Sequence, residues 1–112
     1  MNMRYRKNIG DIGEDFAASI LENDGFKVLE RNFDTKAGEI DIIAMKNGVI
    51  HFVEVKTRNG SMYGYPSEAV TPAKQRHIRK AAEYYLQGCR LPWSSVSLDV
   101  FEIMTDFIED CM

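Results

Sequence analysis

The stretch GEIDIIAMKNGVIHFVEVKTR, from Gly38 to Arg58, decides the fold of this chain. Apolar residues dominate on both sides of Asn47-Gly48, and this dipeptide between two such runs is the strongest short-range signal of a β-hairpin. We therefore predict two antiparallel strands joined by a two-residue turn with Asn47 and Gly48 at its centre. Such a turn also fixes the residues that face each other across the hairpin.

The predicted register brings acidic residues of the two strands together. Side chains alternate along a strand, so Asp41, Glu54, Glu39 and Lys56 are expected on one face. Like charges opposite each other destabilise a strand pair, and a divalent cation between Asp41 and Glu54 would offset this repulsion. Carboxylate oxygens suit Mg²⁺ or Mn²⁺, and Lys56 beside the cation could orient or deprotonate a water. The full predicted register is Lys46 opposite Val49, Ile43 opposite Phe52, Asp41 opposite Glu54 and Glu39 opposite Lys56.

A purely structural hairpin is the alternative interpretation of the same residues. Its polar face would be solvated, and Glu39 and Lys56 would form a cross-strand ion pair worth well under about 1 kcal/mol. The nearly continuous apolar character of both strands argues against this alternative. Strands of that kind are usually buried, and a charged cluster on a buried strand is costly unless it has a task.

The motifs GEID (38–41) and VEVKTR (53–58) resemble the Asp…Glu-x-Lys core of the restriction-endonuclease-like superfamily of nucleases, often written PD-(D/E)xK. Within this superfamily the chain most resembles the uncharacterised YraN-like family, which is similar to archaeal Holliday-junction resolvases. Supporting positions are Gly10 to Glu14, Ala17, Ala18, Leu21, Arg31, Asn32, Tyr63, Gly64, Pro66, Lys74, Ala81, Ala82, Leu98, Asp99 and Val100.

This resemblance implies a fold and an activity. The fold would be an α/β, restriction-endonuclease-like sandwich in the order helix-strand-strand-strand-helix-strand, with a central mixed sheet flanked by helices. The activity would be metal-dependent hydrolysis of phosphodiester bonds in branched or otherwise structured DNA. Asp41 and Glu54 would bind Mg²⁺ or Mn²⁺, Glu39 would add a ligand directly or through water, and Lys56 would assist catalysis. An alternative is a nucleic-acid-binding or protein-interaction module with little or no hydrolytic activity.

Glu14 has two interpretations. Asp11-Ile12-Gly13-Glu14 resembles a capping box, which would open a helix that ends near Gly25 and would make Glu14 a cap. The stripe formed by Glu14, Ala17, Ala18 and Leu21 instead turns Glu14 toward whatever the helix covers. In the resolvase-like relatives a glutamate of the first helix joins the metal site, and Glu14 is the matching position.

A second helix is predicted from Thr71-Pro72 to near Gly88, with Thr71 as its N-cap. Lys74 lies one turn before Ile78 on the inward stripe, and Gln75 borders that stripe. An inward lysine at a helix start is unusual, because the positive end of the helix dipole disfavours it. We predict that it meets an anion, either nucleic-acid phosphate or the carboxylates of the site. The alternative is a lysine that extends to solvent.

The segment 59–71 is predicted to be a mobile loop rich in Gly, Ser and Tyr. It is either an ordinary connector or a flap beside the site in which Tyr63 stacks on an unpaired base. Arg58, directly before it, belongs with Lys56 to a local basic patch that we expect to contact nucleic acid.

Composition favours one cytoplasmic domain, residues 1–112, with a basic arm (1–8) and an acidic tail (104–112). The formal net charge is −3, but all charged residues of the segment 91–112 are acidic, so the remainder is weakly basic and can accept DNA as a partner. No apolar run suits a membrane span or a signal peptide. One small domain presents one site, so cutting both strands of DNA symmetrically would require a homodimer.

Overall fold

The computed structural model of the protein describes residues 9–58 and 71–104. Within this part the element order is the one predicted from sequence. The predicted basic arm, loop residues 59–70 with Tyr63, and residues 105–112 of the predicted tail lie outside the described residues. The elements are α1 (Ile9–Asn23), β1 (Lys27–Thr35), β2 (Gly38–Lys46), β3 (Val49–Arg58), α2 (Pro72–Gly88) and β4 (Ser95–Met104).

The four strands form one mixed sheet in the order β1-β2-β3-β4. The pairs β1–β2 and β2–β3 are antiparallel, whereas β4 runs parallel to β3. Parallel neighbours need a long crossover connection, and the segment that contains α2 supplies it. The predicted mixed sheet is therefore confirmed.

The two helices cover opposite faces of the sheet. Alternating side chains of β2 and β3 divide the core into two clusters, which bury the apolar stripes of α1 and α2 respectively. The prediction of a sheet flanked by helices is confirmed. The α1 side contains Ala17, Ala18, Ile42, Ala44, Val53 and Ile103, and the α2 side contains Ile40, Ile43, Ile50, Phe52, Ile78, Ala81 and Ala82. In the described part of the chain, neither helix is long and apolar enough to cross a membrane.

The β2–β3 turn has the geometry expected of Asn-Gly. Asn47 has φ 53° and Gly48 has φ 78°, both in the left-handed region that a tight hairpin turn requires. Lys46 pairs with Val49 as predicted. At the other end of the molecule, Thr71 accepts a hydrogen bond from the backbone N–H of Lys74 at 3.1 Å, which confirms it as the N-cap of α2.

Three boundaries differ from the sequence-based expectation. Helix α1 begins at Ile9 rather than after Asp11, so Asp11 lies inside the first turn and the capping-box interpretation of Glu14 is wrong. Strand β1 extends to Thr35, past Phe33, where the alternating residues 26–33 predict its end, and its register with β2 shifts between Val28 and Glu30. Strand β4 runs to Met104, a residue predicted to begin the tail.

Gly13 allows close contact between α1 and β3, and we expect Gly13→Ala to destabilise the protein. An added Cβ would lie 2.3 Å from Cγ2 of Thr57, a clash whose cost of about 1–3 kcal/mol exceeds the gain in helix propensity. Urea denaturation would measure the loss in free energy of unfolding. Thr57→Ser removes that methyl group. The double variant Gly13→Ala, Thr57→Ser should therefore regain most of the lost stability. Gly88→Ala is the control, because a Cβ there meets nothing within 4 Å.

Candidate functional site

The site lies where the β2–β3 ladder ends. Backbone pairing continues only to Ile42–Val53, and the N–H of Val55 donates instead to Oδ2 of Asp41 at 2.7 Å. The predicted register is confirmed for Lys46–Val49 and Ile43–Phe52. The predicted pairs Asp41–Glu54 and Glu39–Lys56 lie beyond the last backbone pair, where the Asp41 side chain accepts a hydrogen bond from the N–H of Val55.

The side-chain alternation of β2 also breaks at Asp41. Ile40 packs in the same cluster as Ile43, whereas Ile42 packs on the opposite face. Strict alternation would place Ile40 with Ile42, so the assumption of unbroken alternation that put Glu39, Asp41 and Ile43 on one face is wrong. The change of face turns the Asp41 carboxylate toward β3, where it meets the backbone of Val55.

Glu54 is the buried carboxylate of the site, with 6% of its surface exposed. A charge in this environment is costly unless it is paired. The ammonium of Lys74 forms an ion pair with Oε2 of Glu54. The sequence predicted that Lys74 meets an anion, either phosphate or the carboxylates of the site. Within the protein its partner is the carboxylate of Glu54.

Asp41 titrates far from its usual range. Burial is the main cause, and the negative charges of Glu54 and Glu14 act in the same direction, so that the pKa of Asp41 rises from 3.8 to about 7. The N–H of Val55 opposes this shift by stabilising the carboxylate. The side chains of Asp41 and Glu54 are close enough to affect each other's proton equilibrium, because the Glu54 charge contributes to the raised pKa of Asp41. Two acidic side chains therefore meet at this point, where deprotonation of Asp41 is unfavourable.

Glu14 approaches the same cluster from α1. Burial raises its pKa, and the neighbouring charges of Glu39 and Asp11 raise it further. Arg31 opposes the shift with its guanidinium Nη2 3.6 Å from Oε1 of Glu14. The charge of Glu14 in turn helps to raise the pKa of Asp41. The structure therefore brings all four predicted acids, Glu14, Glu39, Asp41 and Glu54, into one electrostatic neighbourhood.

Gly38 explains how α2 reaches this neighbourhood. It has φ 153°, and a Cβ added to it would lie 3.3 Å from Cβ of His77, so only glycine permits the close approach. Oγ1 of Thr35 donates to the carbonyl of Gly38 at 2.9 Å and accepts from its N–H at 3.1 Å. The result is a cavity of about 400 Å³ lined by Gly38, Glu39, Asp41, Glu54, Thr71, Ala73, Lys74, His77 and Ile78.

A second concavity, of about 330 Å³, lies on the other side of Glu54. Gln75 and Arg79 of α2 line it together with Leu98 and Val100 of β4. Val100 is 47% exposed. Glu54 therefore stands between an acidic cavity and a partly apolar groove, and the predicted nucleic-acid-binding pair Lys74 and Gln75 is divided between the two.

Lys56 follows Glu54 by two residues on β3 and is partly exposed. It projects from the same face as Glu54, since Val53, Val55 and Thr57 face α1. Arg58 ends the strand, and Tyr63 is outside the described residues. Their roles in catalysis and binding stay predictions.

The donor set can be compared with the needs of a metal ion. Among residues 9–58 and 71–104, no three His, Cys, Asp or Glu side chains converge as a ready-made metal-binding group. Mg²⁺ commonly uses only one or two carboxylates and completes its shell with waters and substrate phosphate oxygens. The adjoining carboxyl groups of Asp41 and Glu54 fit that requirement in number and chemistry.

Two residues at the site were not assigned a role from sequence. Arg31 contacts Glu14 and also Asp15, whose Oδ1 lies 2.8 Å from its Nη2. His77 was interpreted as a structural or surface residue, and it lines the acidic cavity. For His77 the available signal was its spacing of one helical turn from Lys74.

Comparison with known proteins identifies the family. Residues 13–104 match the model of "Uncharacterised protein family UPF0102". A UPF0102 protein of Clostridium perfringens is 48% identical over 100 residues, which cover 89% of this chain and 82% of that protein. A UPF0102 protein of Syntrophotalea carbinolica is 47% identical over 102 residues, which cover 90% of this chain and 83% of that protein.

A solved structure is also similar, that of AF1548, described as a protein of unknown function. The TM-score is 0.44 at 24% identity, with 93% of this chain and 54% of AF1548 covered. The family model spans most of this chain, and the relatives align over most of their own length. The chain therefore belongs to the uncharacterised protein family UPF0102.

Proposed function

We propose that this protein is a metal-dependent endonuclease of the restriction-endonuclease-like PD-(D/E)xK superfamily, which hydrolyses phosphodiester bonds in branched or structured DNA. One observation carries the proposal. Asp41 and Glu54 adjoin each other at the end of the β2–β3 ladder, and Lys56 projects from the same strand and face as Glu54. Two carboxylates and a lysine in this arrangement supply the ligands and the cation that phosphoryl transfer needs.

Each residue has a defined task in this proposal. Asp41 and Glu54 would hold Mg²⁺ or Mn²⁺, and Glu14 and Glu39 would contribute through water. The bound ion would polarise a phosphoryl oxygen and lower the pKa of its water. Lys56 would orient the attacking water or stabilise the charge that develops on the phosphate. The Val55 N–H holds one oxygen of Asp41, which leaves the other oxygen for the ion.

DNA would lie across the α2 side of the site. Lys74 and Gln75 border its two concavities, Arg58 continues the strand that bears Lys56, and Tyr63 would stack on an unpaired base. A homodimer would place two such sites on one branched substrate. Cellular DNA as the substrate agrees with the expected cytoplasmic location.

The experiment is cleavage of end-labelled four-way junction, flap, single-stranded and duplex DNA with Mg²⁺ or Mn²⁺. We expect metal-dependent cutting with a preference for branched DNA. Glu54→Gln, which keeps the shape of the side chain, and Lys56→Met should each reduce the rate by about 10²–10³-fold, the usual effect of removing one group that stabilises developing charge. Lys80→Met, on the exposed surface of α2, is the matched control and should cut normally.

Two results would contradict the proposal. Cutting that survives in both Glu54→Gln and Lys56→Met would show that another site or a contaminant is responsible. A folded protein that binds DNA in a salt-sensitive manner but cuts no substrate with either metal would instead identify a binding module.

A further inference from the structure

Lys74 is the cationic partner of the buried carboxylate at the site. Its ammonium contacts Oε2 of Glu54, and Glu54 is almost fully enclosed. Enclosure weakens solvent screening, so the position next to Glu54 strongly favours a positive charge. The protein meets this demand with one of its own side chains.

The backbone of Lys74 is held by a helix cap, whereas its side chain is partly exposed. Its N–H is held by the Thr71 cap at 3.1 Å, at the end of the helix where the dipole disfavours a cation. The side chain is 39% exposed. The ammonium can therefore swing from Glu54 to solvent, or to an anion in the cavity, by changes of side-chain torsion alone.

The charge of Lys74 does not balance the site completely. Asp41 adjoins Glu54, whereas the ion pair of Lys74 is with Glu54, so a second carboxyl group lies next to the pair. A divalent cation bound by Asp41 and Glu54 would lie beside the Lys74 ammonium, and in this enclosed site the two positive charges would repel each other strongly. The ammonium and the ion are thus alternatives as the counter-ion of Glu54.

We propose that Lys74 is a built-in counter-ion that competes with the divalent cation for Glu54 and, once displaced, is free to bind substrate phosphate. This inference rests on the proposed function, since it assumes a metal at Asp41 and Glu54. Lys74 keeps the metal-free site stable, lowers its affinity for the ion, and couples ion entry to phosphate binding.

The test is direct titration of metal-free protein with Mn²⁺, followed by electron paramagnetic resonance and calorimetry. Lys74→Met should bind Mn²⁺ roughly ten-fold more tightly than the unaltered protein, because a charge-assisted contact no longer has to be broken. Lys74→Arg keeps the charge and should bind close to the unaltered protein. Lys80→Met is the control, because Lys80 lies on the same helix with Glu83 as its exposed partner.

The outcomes separate this inference from the function on which it rests. Tighter binding of Mn²⁺ by Lys74→Met alone, with weaker binding of DNA, supports competition. Equal or weaker binding by Lys74→Met, in a protein whose circular dichroism shows a native fold, overturns the inference and leaves the metal site intact. No specific Mn²⁺ binding by any variant overturns both proposals.

Discussion

Asp41→Asn is expected to abolish metal-dependent cleavage and to make the metal-free protein more stable at neutral and alkaline pH. Asparagine keeps an oxygen for the Val55 N–H, so the hairpin end should retain its shape. It removes one of two negative charges that adjoin each other, and with it a proposed metal ligand. Cleavage should fall by at least about 10²–10³-fold, on the scale of losing one charge-stabilising group.

The stability gain follows from the pKa of Asp41. Its folded-state value of about 7 lies above the 3.8 of an ordinary aspartate, so the folded protein binds the proton more tightly than the unfolded chain. The free energy of unfolding is therefore greatest below the ordinary pKa and falls as pH rises toward about 7. Asp41 is only partly buried, and with solvent screening we expect this loss to be on the order of 2 kcal/mol.

Urea denaturation of metal-free protein between about pH 4 and about pH 9 would measure this effect. The unaltered protein should lose stability with rising pH, and Asp41→Asn should show a flatter profile. Some slope should remain, because burial also raises the pKa of Glu14. Asp24→Asn, an exposed residue whose partner is Lys46, should neither flatten the profile nor impair cleavage. An unchanged slope in Asp41→Asn would contradict the assignment of the raised pKa.

Local signals in the sequence were sufficient for the hairpin and for both helices. The Asn47-Gly48 turn, the Thr71 cap and the inward stripe of α2 each depend on neighbours within one or two turns of the chain. For the same reason the inward position of Lys74 was predictable. Its partner was not, because the choice between Glu54 and phosphate depends on how close α2 approaches the sheet at Gly38.

The end of the ladder was beyond sequence reasoning for a different physical reason. Period-two alternation assumes that backbone groups pair only with backbone groups. At Asp41 a side chain competes successfully for the Val55 N–H, and the strand changes face at that point. Arg31 was missed because its contact with Glu14 joins elements that are distant in sequence. Asp41, where backbone pairing and side-chain alternation both stop, and Arg31, whose partner is distant in sequence, therefore both belong to the acidic cluster or contact it.

Phe52→Ala is expected to have the largest effect on stability. Phe52 is 1% exposed and lies in the α2-side cluster, with its ring centre 6.0 Å from that of Tyr85 in an edge-on arrangement. Truncating a buried phenylalanine costs about 3–5 kcal/mol, because transfer energy is lost and a cavity remains. The total free energy of unfolding of a small domain is only about 5–15 kcal/mol, so this variant should be close to unfolding at room temperature.

Leu98→Ala provides the matched control for this prediction. Leu98 is the neighbour of Phe52 in the parallel β3–β4 ladder, but it is 41% exposed. Its truncation should therefore lower the free energy of unfolding by less than about 1.5 kcal/mol. Urea denaturation would give the free energy of unfolding of both variants, provided that its dependence on urea concentration has the same slope in each. Equal losses in the two variants would show that α2 does not bury Phe52 as described.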